Sequence, residues 1–130
     1  MIGIITSNLP AMVEFYHQVM GFEIELQLEQ YVEFKSANVR FALSTNQVMA
    51  DTTGHVSFTQ PKQGQSLELA FAVDTPAAVD DMYAELVEKG ATPIKASEDK
   101  PWGQRAAFFA DPDGNIHEVF AELGNDANFT

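Results

Sequence analysis

An internal duplication constrains this chain more than any single motif, because a unit that occurs twice must build its fold from two like halves. Pro10, Ala11, Val13 and Glu14 are answered in order by Pro76, Ala77, Val79 and Asp80. Each segment ends in a glycine, Gly21 or Gly90, and each follows an apolar stretch, Ile2 to Thr6 or Leu67 to Val73. Leu9, Met12, Val13, Tyr16, Val19 and Met20 recur at helical spacing, with Asn8 as cap, Pro10 in the first turn and Gly21 as the left-handed stop. The second helix repeats this order with Thr75, Pro76, an apolar face of Val79, Met82, Tyr83 and Leu86, and Gly90. Short apolar-rich segments follow each helix: Glu23 to Leu28, Tyr31 to Ser36 and Val39 to Thr45 in the first half, then Thr92 to Ala96, Arg105 to Ala110 and Ile116 to Ala121 in the second. Both halves therefore read βαβββ, an α+β class.

The expected organisation is a first module over about 1–45, a linker over 46–66 and a second module over about 67–123. The linker, Asn46 to Ser66, is polar and contains Gly54, Pro61 and Gly64. It is longer than most unstructured connections, which suggests a lid, or a short edge strand around His55, Val56 and Phe58.

Charge and cysteine content exclude several functions. Nineteen acidic residues against seven basic ones leave a formal net charge of -12, with Arg40 and Arg105 as the sole arginines, so nucleic acid is not an expected partner. A negatively charged groove would favour a cationic ligand. The absence of cysteine removes disulfides, thiolate nucleophiles and cysteine metal sites, and points to a cytoplasmic location. No apolar run reaches the length of a membrane span, so no membrane partner is expected. No Ser/His/Asp ordering and no phosphate-cradling glycine loop stands out.

The most specific segment runs Pro101-Trp102-Gly103-Gln104-Arg105, then Phe108-Phe109-Ala110-Asp111-Pro112-Asp113-Gly114-Asn115, and then Glu118. By itself Asp111-Pro112-Asp113-Gly114 predicts a tight turn between strands. Together with the duplicated βαβββ order and a glutamate on the closing strand, the segment resembles the vicinal oxygen chelate superfamily, which includes glyoxalase I, bleomycin-resistance proteins and extradiol dioxygenases. The resemblance covers Ile2 to about Leu123. It implies a cupped, incomplete eight-stranded barrel, commonly in a homodimer, with metal ligands on the first and last strands of each module. Carried over by position, those strands offer Glu68 and Glu118 in the second module, but Met1 or Ile2 and Leu43 in the first.

Strand alternation puts Ile116, Glu118 and Phe120 on one face and His117 and Val119 on the other, while Glu68 shares a face with Ala70 and Ala72. The expected ligand-binding residues are Glu68, Trp102, Arg105, Glu118 and Phe120. Trp102 is the sole tryptophan and lies in a polar loop, where relatives stack aromatics on planar ligands; Arg105 has the alternative of pairing with a surface acid. His17 is read as a solvated helix residue off the apolar stripe, and His117 as a surface or interface residue. With two carboxylates and no first-module ligand, the expected function is metal-independent binding of a small organic molecule, cationic or aromatic, in the manner of a bleomycin-resistance protein, with no cofactor. The alternative is a glyoxalase-type lyase or isomerase in which Glu68 and Glu118 hold a divalent metal or act as general acid and base.

Overall fold

A computed structural model describes residues 1–61, 63–65 and 67–124. The chain divides into two compact units, one spanning Met1–Gly64 and the other beginning at Gln65. The Ser66 end of the expected linker lies outside the described residues.

The first unit contains β1 (Ile2–Thr6), α1 (Leu9–Glu14), β2 (Ile24–Gln27), β3 (Tyr31–Phe34), β4 (Phe41–Thr45) and α2 (Asn46–Thr53). Its sheet runs β1-β4-β3-β2, with β1 parallel to β4 and the other pairs antiparallel. Asn8 caps α1 through its side chain, with Pro10 in the first turn, as its residue type predicts. The helix then widens into a π-helical turn over Phe15–Val19, where the Met20 N–H bonds the Phe15 carbonyl at 2.9 Å. Gly21 follows with φ of +85°, a conformation that costs glycine little.

The face of this sheet under α1 carries Ile4, Val32, Phe34, Phe41 and Leu43, all buried. Tyr16 sits among them, fully buried, with its ring edge-on to Phe41 at 5.1 Å, while Phe34 stacks on Phe41 at 5.4 Å.

The expected linker is not a structureless lid. Its first half is α2, capped by Thr45 and ended by Gly54, and Val56–Thr59 forms a 3-10 turn where an edge strand was one reading. Thr45 ends β4 and caps α2 with the same side chain, so no residues separate the two elements.

The second unit contains β5 (Ala70–Ala72), α3 (Pro76–Glu88), β6 (Thr92–Asp99), β7 (Gln104–Ala110) and β8 (Ile116–Glu122), in the sheet order β5-β8-β7-β6. Its pairing repeats that of the first unit: β5 is parallel to β8 and the rest are antiparallel. The duplication read from sequence is thus a duplication of structure, and each module is βαβββ. Helix α3 packs on β6, β7 and β8. Ala107 and Ala121 on that side are small and completely enclosed, which lets the helix come close.

Candidate functional site

Register fixes which side chains share a face of the second sheet. Directly opposed residues on β7 and β8 are Phe108 and Glu118, Ala106 and Phe120, and Gln104 and Glu122; Ala70 on β5 lies opposite Glu118. These form the face turned away from α3. The alternate set, Phe109 with His117, Ala107 with Val119 and Arg105 with Ala121, faces the helix.

Glu118 and Glu68 come together on the far face. Glu68 precedes β5, on the same side as Ala70, and its carboxyl approaches Glu118 closely enough to share a hydrogen bond. Burial, then the neighbouring Glu68 charge and the bond between them, raise the Glu118 pKa above the ordinary glutamate value, while the Lys100 ammonium opposes the rise.

Aromatic groups border this pair. Phe108 and Phe120 are half-buried on the same face, and Trp102, 48% exposed, donates its indole N–H to Gln104 Oε1 at 3.0 Å. Gln104 Nε2 in turn donates to Glu122 Oε1 at 2.9 Å. Lys100 pairs with Glu98 and lies 6.0 Å from the ring centroids of both Trp102 and Phe108. Lys100, Gln104 and Phe108 are thus additions to the residues expected from sequence. Parity on β7 identifies Phe108 once the hairpin register is known, whereas nothing local in the sequence points to Lys100.

Arg105 must be removed from this face. It points to the helix side, where Nε donates to Asp80 of α3 at 2.8 Å and NH1 to Asp99 at 2.9 Å. The alternative of pairing with an acid describes its geometry. His117 also departs from expectation, because it is fully buried rather than on the surface. Its Nδ1 accepts the Leu69 N–H at 3.2 Å, which puts the ring proton on Nε2, 3.6 Å from Asp111 Oδ2. His117 thereby ties the chain next to Glu68 to the strand that carries Glu118.

The turn leading into β8 is the one its residues predict. Asp111 is buried and accepts the Asp113 and Asn115 backbone N–H groups on Oδ1, at 3.0 and 2.9 Å, and Asn115 Nδ2 on Oδ2 at 2.8 Å. Gly114 closes the turn onto the Asp111 carbonyl.

The donor set does not fit the metal that the resemblance implies. In the first module, Leu43 and Ile2 lie on the helix side, in register with Ile4 and Phe41. The residues of β1 and β4 that turn the other way are Gly3, Ile5, Ala42 and Ser44, which offer neither carboxylate nor imidazole. On the adjacent strand Glu33 is bonded by Tyr31 Oη at 2.7 Å and by Arg40 NH2 and Nε at 2.6 and 2.9 Å. Those bonds, Arg40 first, hold its pKa down at about 2. Among the described residues no three His, Asp or Glu side chains converge as a metal site.

The shifted carboxyls of Glu118 and Glu33 predict opposite responses to acid. Glu118, with its pKa raised, favours the folded state below about 4.5 and loses that contribution as pH rises through its own value. Glu118→Gln should therefore raise Tm slightly at neutral pH, with the gain vanishing in acid. Glu33, with its pKa lowered, contributes stability that is lost as pH falls from 4.5 to about 2, so Glu33→Gln should flatten that limb of a Tm against pH curve. Parallel thermal melts of the two variants across this range check both signs.

The chain is similar to known proteins over nearly its whole length. Residues 1–119 match the model of the Glyoxalase/Bleomycin resistance protein/Dioxygenase superfamily. The chain is 31% identical over 126 residues to the uncharacterized protein YraH of Bacillus subtilis (strain 168), covering 94% of this chain and 96% of that one. A crystal structure of a glyoxalase/bleomycin resistance protein/dioxygenase from Nocardioides superposes with a TM-score of 0.86 at 27% identity, covering 95% of this chain and 82% of that one. The lactoylglutathione lyase of Agrobacterium tumefaciens does so with a TM-score of 0.73 at 25% identity, over 99% and 95% of the two chains. On the strength of the duplicated βαβββ modules, the DPDG turn and these matches, the chain belongs to the glyoxalase/bleomycin resistance/dioxygenase superfamily, the vicinal oxygen chelate proteins.

Proposed function

We propose that this protein binds a small, planar organic cation on the far face of its second sheet, without a metal. The observation that carries the reading is the combination on one face of the Glu68–Glu118 pair with Phe108, Phe120 and Trp102. Four carboxylates, Glu68, Glu98, Glu118 and Glu122, stand there against two ammoniums, the exposed Lys95 opposite Phe108 and Lys100, which Glu98 already engages. Both arginines are held by acids, Arg40 by Glu33 and Arg105 by Asp80 and Asp99, so neither is presented to an anion. A cation with an aromatic body satisfies the charge and the rings together. The proposal includes a homodimeric protein in the cytoplasm.

Tryptophan emission tests it directly, since Trp102 is the sole indole. A planar dication such as methyl viologen should quench it saturably and less strongly at high salt, and a sulfonated aromatic of similar size should not. Trp102→Ala should weaken calorimetric binding by about 1 kcal/mol, roughly fivefold in Kd. Unchanged affinity in Glu118→Gln and Glu68→Gln would remove the carboxylates from the reading. Native mass spectrometry reports the subunit number and any retained metal in the same preparation.

A second reading is favoured by the raised pKa of Glu118: the carboxyl pair acts as general acid and base in an isomerase or lyase of the kind named for the Agrobacterium relative. Turnover of a glutathione hemithioacetal that is lost in Glu118→Gln and insensitive to chelator would put this reading first.

A further inference from the structure

We propose that the first unit carries a second ligand site, in the groove between α1 and the turn joining β2 to β3, and that it takes a small organic ammonium ion with an apolar body. The groove has a volume of about 810 Å³, within the range of small-molecule sites. Leu9, Val13 and Val32 form its apolar floor, and Leu28, itself 56% exposed, stands at its edge. Glu14 and Glu29 lie on the rim, and among the described residues no lysine or arginine lines it. None of the residues assigned to the second sheet's site belongs to this groove.

His17 supplies the feature that distinguishes this groove from a bare apolar depression. It lies in the π-helical turn, half-buried, and its Nδ1 is 2.7 Å from the Phe22 carbonyl oxygen. A carbonyl only accepts, so Nδ1 carries the ring proton and, in the neutral ring, Nε2 is left as an acceptor. The widened turn makes this bond possible, because the chain reverses at Gly21 and returns Phe22 to the helix end, where its N–H also bonds the Tyr16 carbonyl at 2.9 Å. π-Helical turns of this sort are frequent at functional sites. His17 is thereby more than the solvated helix residue its position off the apolar stripe suggests. One imidazole nitrogen and two carboxylates, all acceptors, above an apolar floor match an ammonium group, which has only donors, attached to a hydrocarbon body. A carboxylate ligand would meet two like charges, and an alcohol would forgo the charge-assisted bonds.

The test is an NMR titration of the full chain with cyclohexylmethylamine, and with cyclohexylmethanol and cyclohexanecarboxylate as neutral and anionic bodies of the same shape. The amine should shift the His17 ring protons and the Val13 and Leu28 methyls saturably, with Kd on the order of 1 mM for so small a probe. The alcohol should bind about tenfold more weakly and the carboxylate should leave these signals unmoved. Glu14→Gln together with Glu29→Gln, both exposed positions, should weaken the amine about tenfold while near-ultraviolet circular dichroism and Tm stay unchanged. Equal binding of amine and alcohol would overturn the proposal, as would amine shifts confined to residues of the second unit, which would assign the probe to the Glu68–Glu118 face. An aliphatic probe keeps the outcome separate from the planar-cation reading, which stands or falls on Trp102.

Discussion

Asp111→Ala should destabilise the protein by about 3 kcal/mol or more, seen as a lower urea midpoint with an unchanged slope. The carboxylate is buried and receives two backbone N–H groups and the Asn115 amide, with His117 Nε2 nearby. Removing it takes the shared acceptor from two backbone donors of the turn and leaves His117 without its acidic neighbour. Hydrogen bonds to charged acceptors contribute about 1.5–3 kcal/mol each, though not additively. Asp111→Asn retains an oxygen for the two backbone donors and should lose about half as much. Because the turn sets the β7–β8 register, Asp111→Ala should also loosen the Glu118 face, so any ligand measured there should bind more weakly to the variant. A loss below about 1 kcal/mol would mean that the turn holds its shape through its backbone and Pro112 alone.

Phe34→Ala should cost about 3–5 kcal/mol, the range for deleting an enclosed aromatic side chain. Phe34 is 1% exposed and packs within ring distance of Tyr16, Phe22 and Phe41, so the void is lined by rigid rings that collapse poorly. Phe120→Ala provides the contrast: the ring is half-buried on the far face of the second sheet, and its loss should cost about 1 kcal/mol. Equal losses in the two variants would mean that Phe120 is packed as tightly as Phe34 and would weigh against an accessible binding face. The difference in Tm between the two proteins is the measurement.

The fold was readable because its signals are local. The Asn8 and Thr75 caps, Pro10 and Pro76 near the helix starts, and Gly21 and Gly90 beyond their ends each act within a few residues, and all six do in the structure what their residue types predict. Strand alternation around Glu118 was equally local, so its side of β8 followed from the sequence. The first half of the linker misled because its polar composition hides a helix whose cap, Thr45, is also the last residue of β4.

What lies beside Glu118 was a different kind of question. Sequence by itself determined two βαβββ modules, the DPDG turn and a face of β8 shared by Glu118 and Phe120. Only the tertiary structure decided that Glu68 meets Glu118, that Lys100 sits over Phe108 and Trp102, that Arg105 turns to Asp80 on α3, and that His117 is enclosed against Leu69 and Asp111. Arg105 shows why: its parity on β7 was fixed locally, yet which face α3 would cover, and so where a guanidinium would find carboxylates, depends on the β5–β8 and β7–β8 pairings between distant segments. Alternation assigns side chains to two faces and is blind to which of them becomes the core, because burial is a property of what packs against a strand rather than of the strand itself.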